Sequence, residues 1–181
     1  RGGPVVGVGI SRGVLLLIRL AVLQPELLSR IVLVGGYWRQ TAGLGAEGPA
    51  GADVGDLMTA LQAGDLRGAV EAFAPAIFSE PGTEELRKQF IDQCLNLRED
   101  TIRRFFTLDP RNDVADLLER VAVPTLLAHG GADRDVPFAA AREMAGRIPG
   151  ASLYCFEGKG HLPTFTATAE FCDVLRRFVR G

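Results

Sequence analysis

The chain has 181 residues, of which 47% are apolar and 23% charged, and a formal net charge of -2. That is enough apolar material for a globular core, and the charge gives no reason to bind nucleic acid or an anionic membrane. Cys94, Cys155 and Cys172 are far apart and odd in number. They suggest neither a disulfide framework nor a metal site, and the compartment they point to is a reducing cytoplasm.

The chain begins with Arg, and a strand-like run starts almost at once, so its N-terminus is expected to be a cut. Pro4 to Ile10 is β-branched and apolar without polar alternation, which predicts a strand buried on both faces. Ser11 and Gly13 punctuate it. The run from Val14 to Leu23 then predicts an apolar helix, ended by Gln24-Pro25. This run is too short for a membrane span and lacks the flanks of a signal peptide. Arg30 to Val34 predicts a second buried strand, closed by Gly35-Gly36.

From about Gln40 to Val54 the chain is Gly- and Ala-rich and predicts a loop. Asp56 to Phe78 predicts helix with a break at Gly64-Asp65, and Glu80-Pro81-Gly82 a turn. Thr83 to Leu108 predicts one long helix, with Thr83-Glu84-Glu85-Leu86 as its start. Asp113 to Val121 predicts a short helix. Strand–helix alternation then returns: strand Val123–Ala128, helix Phe138–Arg147, strand Ala151–Phe156 and an amphipathic terminal helix Thr166–Arg180.

This order predicts an α/β fold with a parallel sheet. Its core is residues 1–39 and 111–181, and residues 40–110 form a helical insertion. An insertion there sits above the carboxyl ends of the strands, where such sheets place ligands.

Gly9-Ile10-Ser11-Arg12-Gly13 is G-x-S-x-G between a predicted strand and a predicted helix. Glycines two residues either side of the serine remove β-carbons that would collide in a sharp strand-to-helix turn. The helix start offers free N–H groups to a developing oxyanion, that of Arg12 among them. A seryl nucleophile needs a base. Of the two histidines, His129 sits at a predicted strand end and reads as structural. His161, in Gly158-Lys159-Gly160-His161-Leu162-Pro163, lies in a loop suited to reaching another strand's end. The base needs an acid to orient it, and Asp133 and Asp135 both follow a strand.

The order Ser…Asp…His, with these segments, resembles the α/β-hydrolase family. Val8 to Gly13 is similar to that family's nucleophile elbow, and Gln24 to Val34 to the stretch that follows it. Val123 to Pro137 resembles its acid segment, in which the matching aspartate is Asp133. Gly160-His161-Leu162-Pro163 resembles its histidine loop. The similarity spans nearly all of the chain outside the insertion.

The resemblance implies a Ser11–Asp133–His161 triad and a small-molecule substrate, with no cofactor and no metal ion. The expected chemistry is hydrolysis of a small carboxylic ester, thioester or lactone through an acyl-enzyme. The insertion resembles the helical lid of esterase, lactonase and C–C hydrolase members, in which Trp38, Phe73, Phe78, Phe105 and Phe106 would line a substrate pocket. Arg98, Arg103 and Arg104 are expected on a solvated helix face. Arg12 replaces a usually neutral residue and reads as a solvated arginine or as a contact to an acidic substrate.

Two other readings keep the fold. One retains the triad for C–C hydrolase, haloperoxidase-like or acyltransferase chemistry; the other is a non-catalytic ligand receptor. Dehalogenase and epoxide-hydrolase readings are disfavoured, since those relatives place an aspartate where Ser11 stands. Relatives also carry strands and an oxyanion loop ahead of the elbow. The natural protein is therefore expected to be longer, and these residues alone are not expected to be a competent enzyme. The starting strand is expected to leave an open sheet edge. Oligomeric state is not readable from the sequence.

Overall fold

The computed structural model describes residues 2–39, 54–107 and 112–181. The predicted loop from Gln40 falls outside the described residues as far as residue 53. Four strands, β1 (Val5–Ile10), β2 (Leu28–Val34), β3 (Thr125–Gly130) and β4 (Ser152–Phe156), form one all-parallel sheet in the order β1-β2-β3-β4. Parallel neighbours need crossovers. Helix α1 (Gly13–Leu23) joins β1 to β2, and α6 (Phe138–Arg147) joins β3 to β4. Between β2 and β3 lie α2 (Val54–Ala63), α3 (Leu66–Ile77), α4 (Glu84–Leu95), α5 (Glu99–Phe106) and a 3-10 turn at Ala115–Arg120. A short helix α7 (Pro163–Thr166) and the terminal α8 (Thr168–Arg180) follow β4.

Alternation along the strands divides the core between the two faces of the sheet. Ile31 and Leu33 of β2 and Leu127 of β3 face a cluster with Val14, Ile18 and Met144. Val32, Val34, Leu126 and Ala128 face Phe171 and Val174 of α8. Both inner strands are covered on both sides, which is why they read as unbroken apolar runs.

β1 is the open edge expected of the starting strand, but it is not buried on both faces as its composition suggests. It pairs with β2 alone and stands at the sheet edge. Val5 is 60% exposed, Val8 47% and Ile10 37%, so the strand is not buried on both faces. Its composition is that of an inner strand, but no described element covers its outer side.

The predicted helix 83–108 is two helices. Asn96 closes α4, and Arg98 is extended at φ -62° and ψ 144° before α5 begins. The break at Gly64-Asp65 is as expected: Gly64 has φ +72°, and the Asp65 side chain caps α3 by accepting from Gly68 N–H at 2.9 Å. The segment from Asp113 is a 3-10 turn rather than an α-helix. The chain leaves and re-enters the sheet region at one place. There Val114 N–H donates to Trp38 O at 2.8 Å, and Arg39 pairs with Asp113 at 2.7 Å. A separate apolar cluster, built on Leu57, Phe73, Ile77 and Phe78, holds the intervening helices together and also packs Leu162 from the loop after β4. Among the described residues, no helix is long and apolar enough to cross a membrane.

Candidate active site

The four strands end on the same side of the sheet, and Ser11, Gly35, Asp133 and His161 all lie in the segments that follow them. Ser11 has φ +51°, and among the described residues no other non-glycine has a positive φ. A left-handed conformation costs an L-residue roughly 1–2 kcal/mol, so the turn must be held from outside. Ser11 N–H donates to Val34 O of β2 at 2.8 Å, and Val14 N–H donates to Ser11 O at 3.0 Å to open α1. A Cβ on Gly9 would lie 2.8 Å from the Gly13 carbonyl oxygen, so only glycine fits there. The matching expectation for Gly13 fails: a Cβ there meets nothing within 4 Å. The crowding is one-sided, because Gly13 opens α1 with its Cβ position facing space.

Asp133 and His161 meet in the segments that follow β3 and β4. His161 is buried, at 1% exposure, and is not a surface loop residue. Its Nδ1–H donates to Asp133 Oδ2 at 2.9 Å. A Cβ on Gly35 would lie 3.2 Å from that ring, so the end of β2 touches both His161 and, through Val34 O, Ser11. His161 Nε2 is buried and has no hydrogen-bond partner among the described residues. Asp133 Oδ1 accepts the N–H groups of Asp135 (2.8 Å) and Val136 (2.9 Å). His129 is the penultimate residue of β3 rather than a residue beyond it, and it also reaches Asp133 Oδ2, at 3.2 Å.

Electrostatics follow from this wiring. Burial opposes charge on His161, but the charge and hydrogen bond of Asp133 and the charge of Asp135 outweigh it and hold its pKa up at about 8. Burial opposes charge on Asp133 too, yet His161 and the His129 hydrogen bond keep its carboxyl well below the usual range. Asp135, with its carboxylate 3.5 Å from His161 Nε2, has fewer such partners. Burial first, then the Asp133 charge, push it up to about 6 against the opposing pull of His161.

The helices between β2 and β3 contact the serine turn through Arg12. The Arg12 guanidinium donates to Phe105 O and to Arg104 O, at 3.5 Å for the latter, and lies 5.1 Å from the Phe105 ring centre. Arg12, half-buried, thus binds the carboxyl end of α5. It also hydrogen-bonds the buried Tyr37, whose hydroxyl pKa is raised by burial despite that contact. Phe73, Phe105 and Phe106 line an apolar cavity of about 120 Å³ within the insertion. Phe78 packs instead against Phe90 and Phe165, and Trp38 packs at the stem against the sheet core. Arg98 pairs with Asp100, and Arg103 with Glu99, on an exposed face.

Glu80 was not legible as a site residue. From the α3–α4 turn its Oε1 accepts Gly160 N–H and Thr166 Oγ1–H, both at 2.7 Å, which ties the insertion to the residue before His161. Only the fold brings these positions together; no local spacing signals them.

A model of the alpha/beta hydrolase family matches residues 1–174. The chain is 23% identical over 175 residues to a pimeloyl-[acyl-carrier protein] methyl ester esterase of Neisseria meningitidis, covering 96% of this chain and 68% of that protein. It superposes on a hydrolase from Oleispira antarctica with a TM-score of 0.84 at 17% identity, covering 99% of this chain and 66% of that one. An esterase from Exiguobacterium antarcticum gives 0.77 at 22% identity, covering 96% and 66%. The chain spans about two-thirds of the length of these proteins. With the parallel sheet, the left-handed serine turn and the family match over residues 1–174, the chain belongs to the alpha/beta hydrolase family.

Proposed function

We propose that Ser11, His161 and Asp133 form a catalytic triad that hydrolyses a small carboxylic ester, thioester or lactone. The observation that carries this reading is the left-handed Ser11 at the β1–α1 turn, a strain that a mere connection does not need. His161 Nε2, unpartnered and with its Nδ1–H fixed on Asp133, takes the Ser11 hydroxyl proton as Oγ attacks the substrate carbonyl carbon. The protonated His161 then returns that proton to the departing alcohol, thiol or ring oxygen as the acyl bond breaks. Water, deprotonated by the same nitrogen, cleaves the acyl-Ser11 ester and frees the acid. The Arg12 N–H, at the N-cap of α1, is one donor to the oxyanion. The ester activity named for the Neisseria relative supports the same class.

The test is turnover of p-nitrophenyl esters of graded chain length by the full-length protein. Activity is expected to rise as pH passes about 8, where His161 gives up its proton, and to fall by about 10³-fold or more in Ser11→Ala and His161→Ala. Turnover that survives Ser11→Ala would contradict the proposal.

A further inference from the structure

His129 is a buried imidazole that the mechanism above leaves without a role. Its Nε2 lies 2.8 Å from Val136 O and 3.2 Å from Asp133 Oδ2. Neither oxygen carries a proton to give: one is a backbone carbonyl, the other a carboxylate held ionised. Nε2 therefore carries the hydrogen in either protonation state of the ring. The oxygen it reaches is the same one that accepts from His161 Nδ1–H.

We propose that His129 is a positioning residue for the His161–Asp133 pair. Its Nε2–H bonds Val136 O and lies beside the Asp133 Oδ2 that accepts from His161, so the imidazole holds the Asp133–Val136 turn in place and tempers the carboxylate's charge toward His161. The role rests on the reading of Asp133 and His161 as acid and base. Asp133 accepts three hydrogen bonds, two from backbone N–H groups on Oδ1 and one from His161 on Oδ2, and His129 Nε2 stands 3.2 Å from that same Oδ2. A donor taken away leaves more negative charge facing His161 and strengthens its grip on the imidazolium.

The other groups around the pair stay in place when His129 changes. They are Asp135, 3.5 Å from His161 Nε2; Glu80, on the N–H of the neighbouring Gly160; and Tyr37 and Arg12, which reach the pair through Asp135 and the elbow. Phe138, with its ring centre 5.9 Å from that of His129, carries no charge.

Ring-¹⁵N-histidine labelling of the full-length protein reads each imidazole separately, and the His161 signal is assigned by its loss in His161→Ala, as that of His129 is by its loss in the His129 variants. In His129→Leu the titration midpoint of His161 is expected to rise by about 0.5–1 in pH. In His129→Gln, whose amide N–H reaches the position of Nε2, it is expected to return to the wild-type value. Should His129→Leu not fold, His129→Asn serves instead. Its amide is too short to reach Asp133 and predicts the same rise. A purely structural role lowers the melting temperature and leaves the His161 midpoint unmoved. That outcome, or a rise in His129→Gln equal to that in His129→Leu, overturns the proposal. The titration needs no turnover, so a failure of the hydrolase reading, seen as activity that survives Ser11→Ala, is separable from a failure here.

Discussion

The site is built from two unlike halves. On the β3–β4 side, Asp133, His129 and His161 are buried, and Asp133 accepts three hydrogen bonds. On the β1 side, backbone bonds to Val34 and Val14 and the one-sided crowding at Gly9 hold the serine turn. The difference teaches where each half gets its precision. The acid–base half organises its own charge through the low-dielectric core. The serine half borrows its geometry from β2 below and, through Arg12, from the insertion above.

Substitutions that break one half and spare the other sharpen this contrast. The largest effect is expected at Gly130, where a Cβ would run into the backbone oxygens of Gly160 and Lys159. Gly130→Ala should cost about 3 kcal/mol or more, read by denaturant unfolding, because backbone on both sides must give. At the elbow, Gly9→Ala should cost about 1–3 kcal/mol by the same measurement. Gly13→Ala should be within about 0.5 kcal/mol of neutral. Equal costs at Gly9 and Gly13 would contradict the one-sided crowding.

The acid–base half should also leave a pH signature. The His161 pKa is raised to about 8, so its contribution to stability is full below the ordinary histidine value of about 6.5 and is lost as pH rises through about 8. The depressed Asp133 works the other way, and its contribution is lost in acid. Asp135, raised to about 6, resists ionisation, so stability falls as pH climbs from the usual carboxylate range through 6. Asp135→Asn should therefore raise stability by about 1 kcal/mol above pH 6 and change it little near pH 4, seen in melting curves at both pH values. The smallest effect is expected at the tether between halves. Arg12→Ala removes the guanidinium from Arg104 O and Phe105 O. Faster amide exchange in α5, with a loss of about 1 kcal/mol, is the expected outcome.

What the sequence showed was what chain-local pattern encodes. An apolar run that breaks into G-x-S-x-G and resumes as helix places Ser11 at a turn, and the strand ends of Leu126–Ala128 and Tyr154–Phe156 place Asp133 and His161 beyond them. The open edge at β1 was legible from the strand's place at the start of the chain, whereas its apolar composition alone, at Val5 and Val8, reads the same whether or not a neighbour covers it. The split at Asn96-Leu97-Arg98 was hidden by residues that suit a helix well enough; the chain turns there through the extended Arg98. Glu80 and His129 were missed as site residues for a shared reason. Each acts through a partner distant in sequence or through an atom already assigned to another residue.

The central claim is that Ser11 is a nucleophile served by His161. The most direct measurement is reaction of the full-length protein with a fluorophosphonate between pH 6 and 9, with the modified peptide mapped by mass spectrometry. The account predicts a single adduct on Ser11 that forms faster as His161 loses its proton and is absent in Ser11→Ala and much slower in His161→Ala. No adduct at any of these pH values, or one that persists in Ser11→Ala, would contradict it.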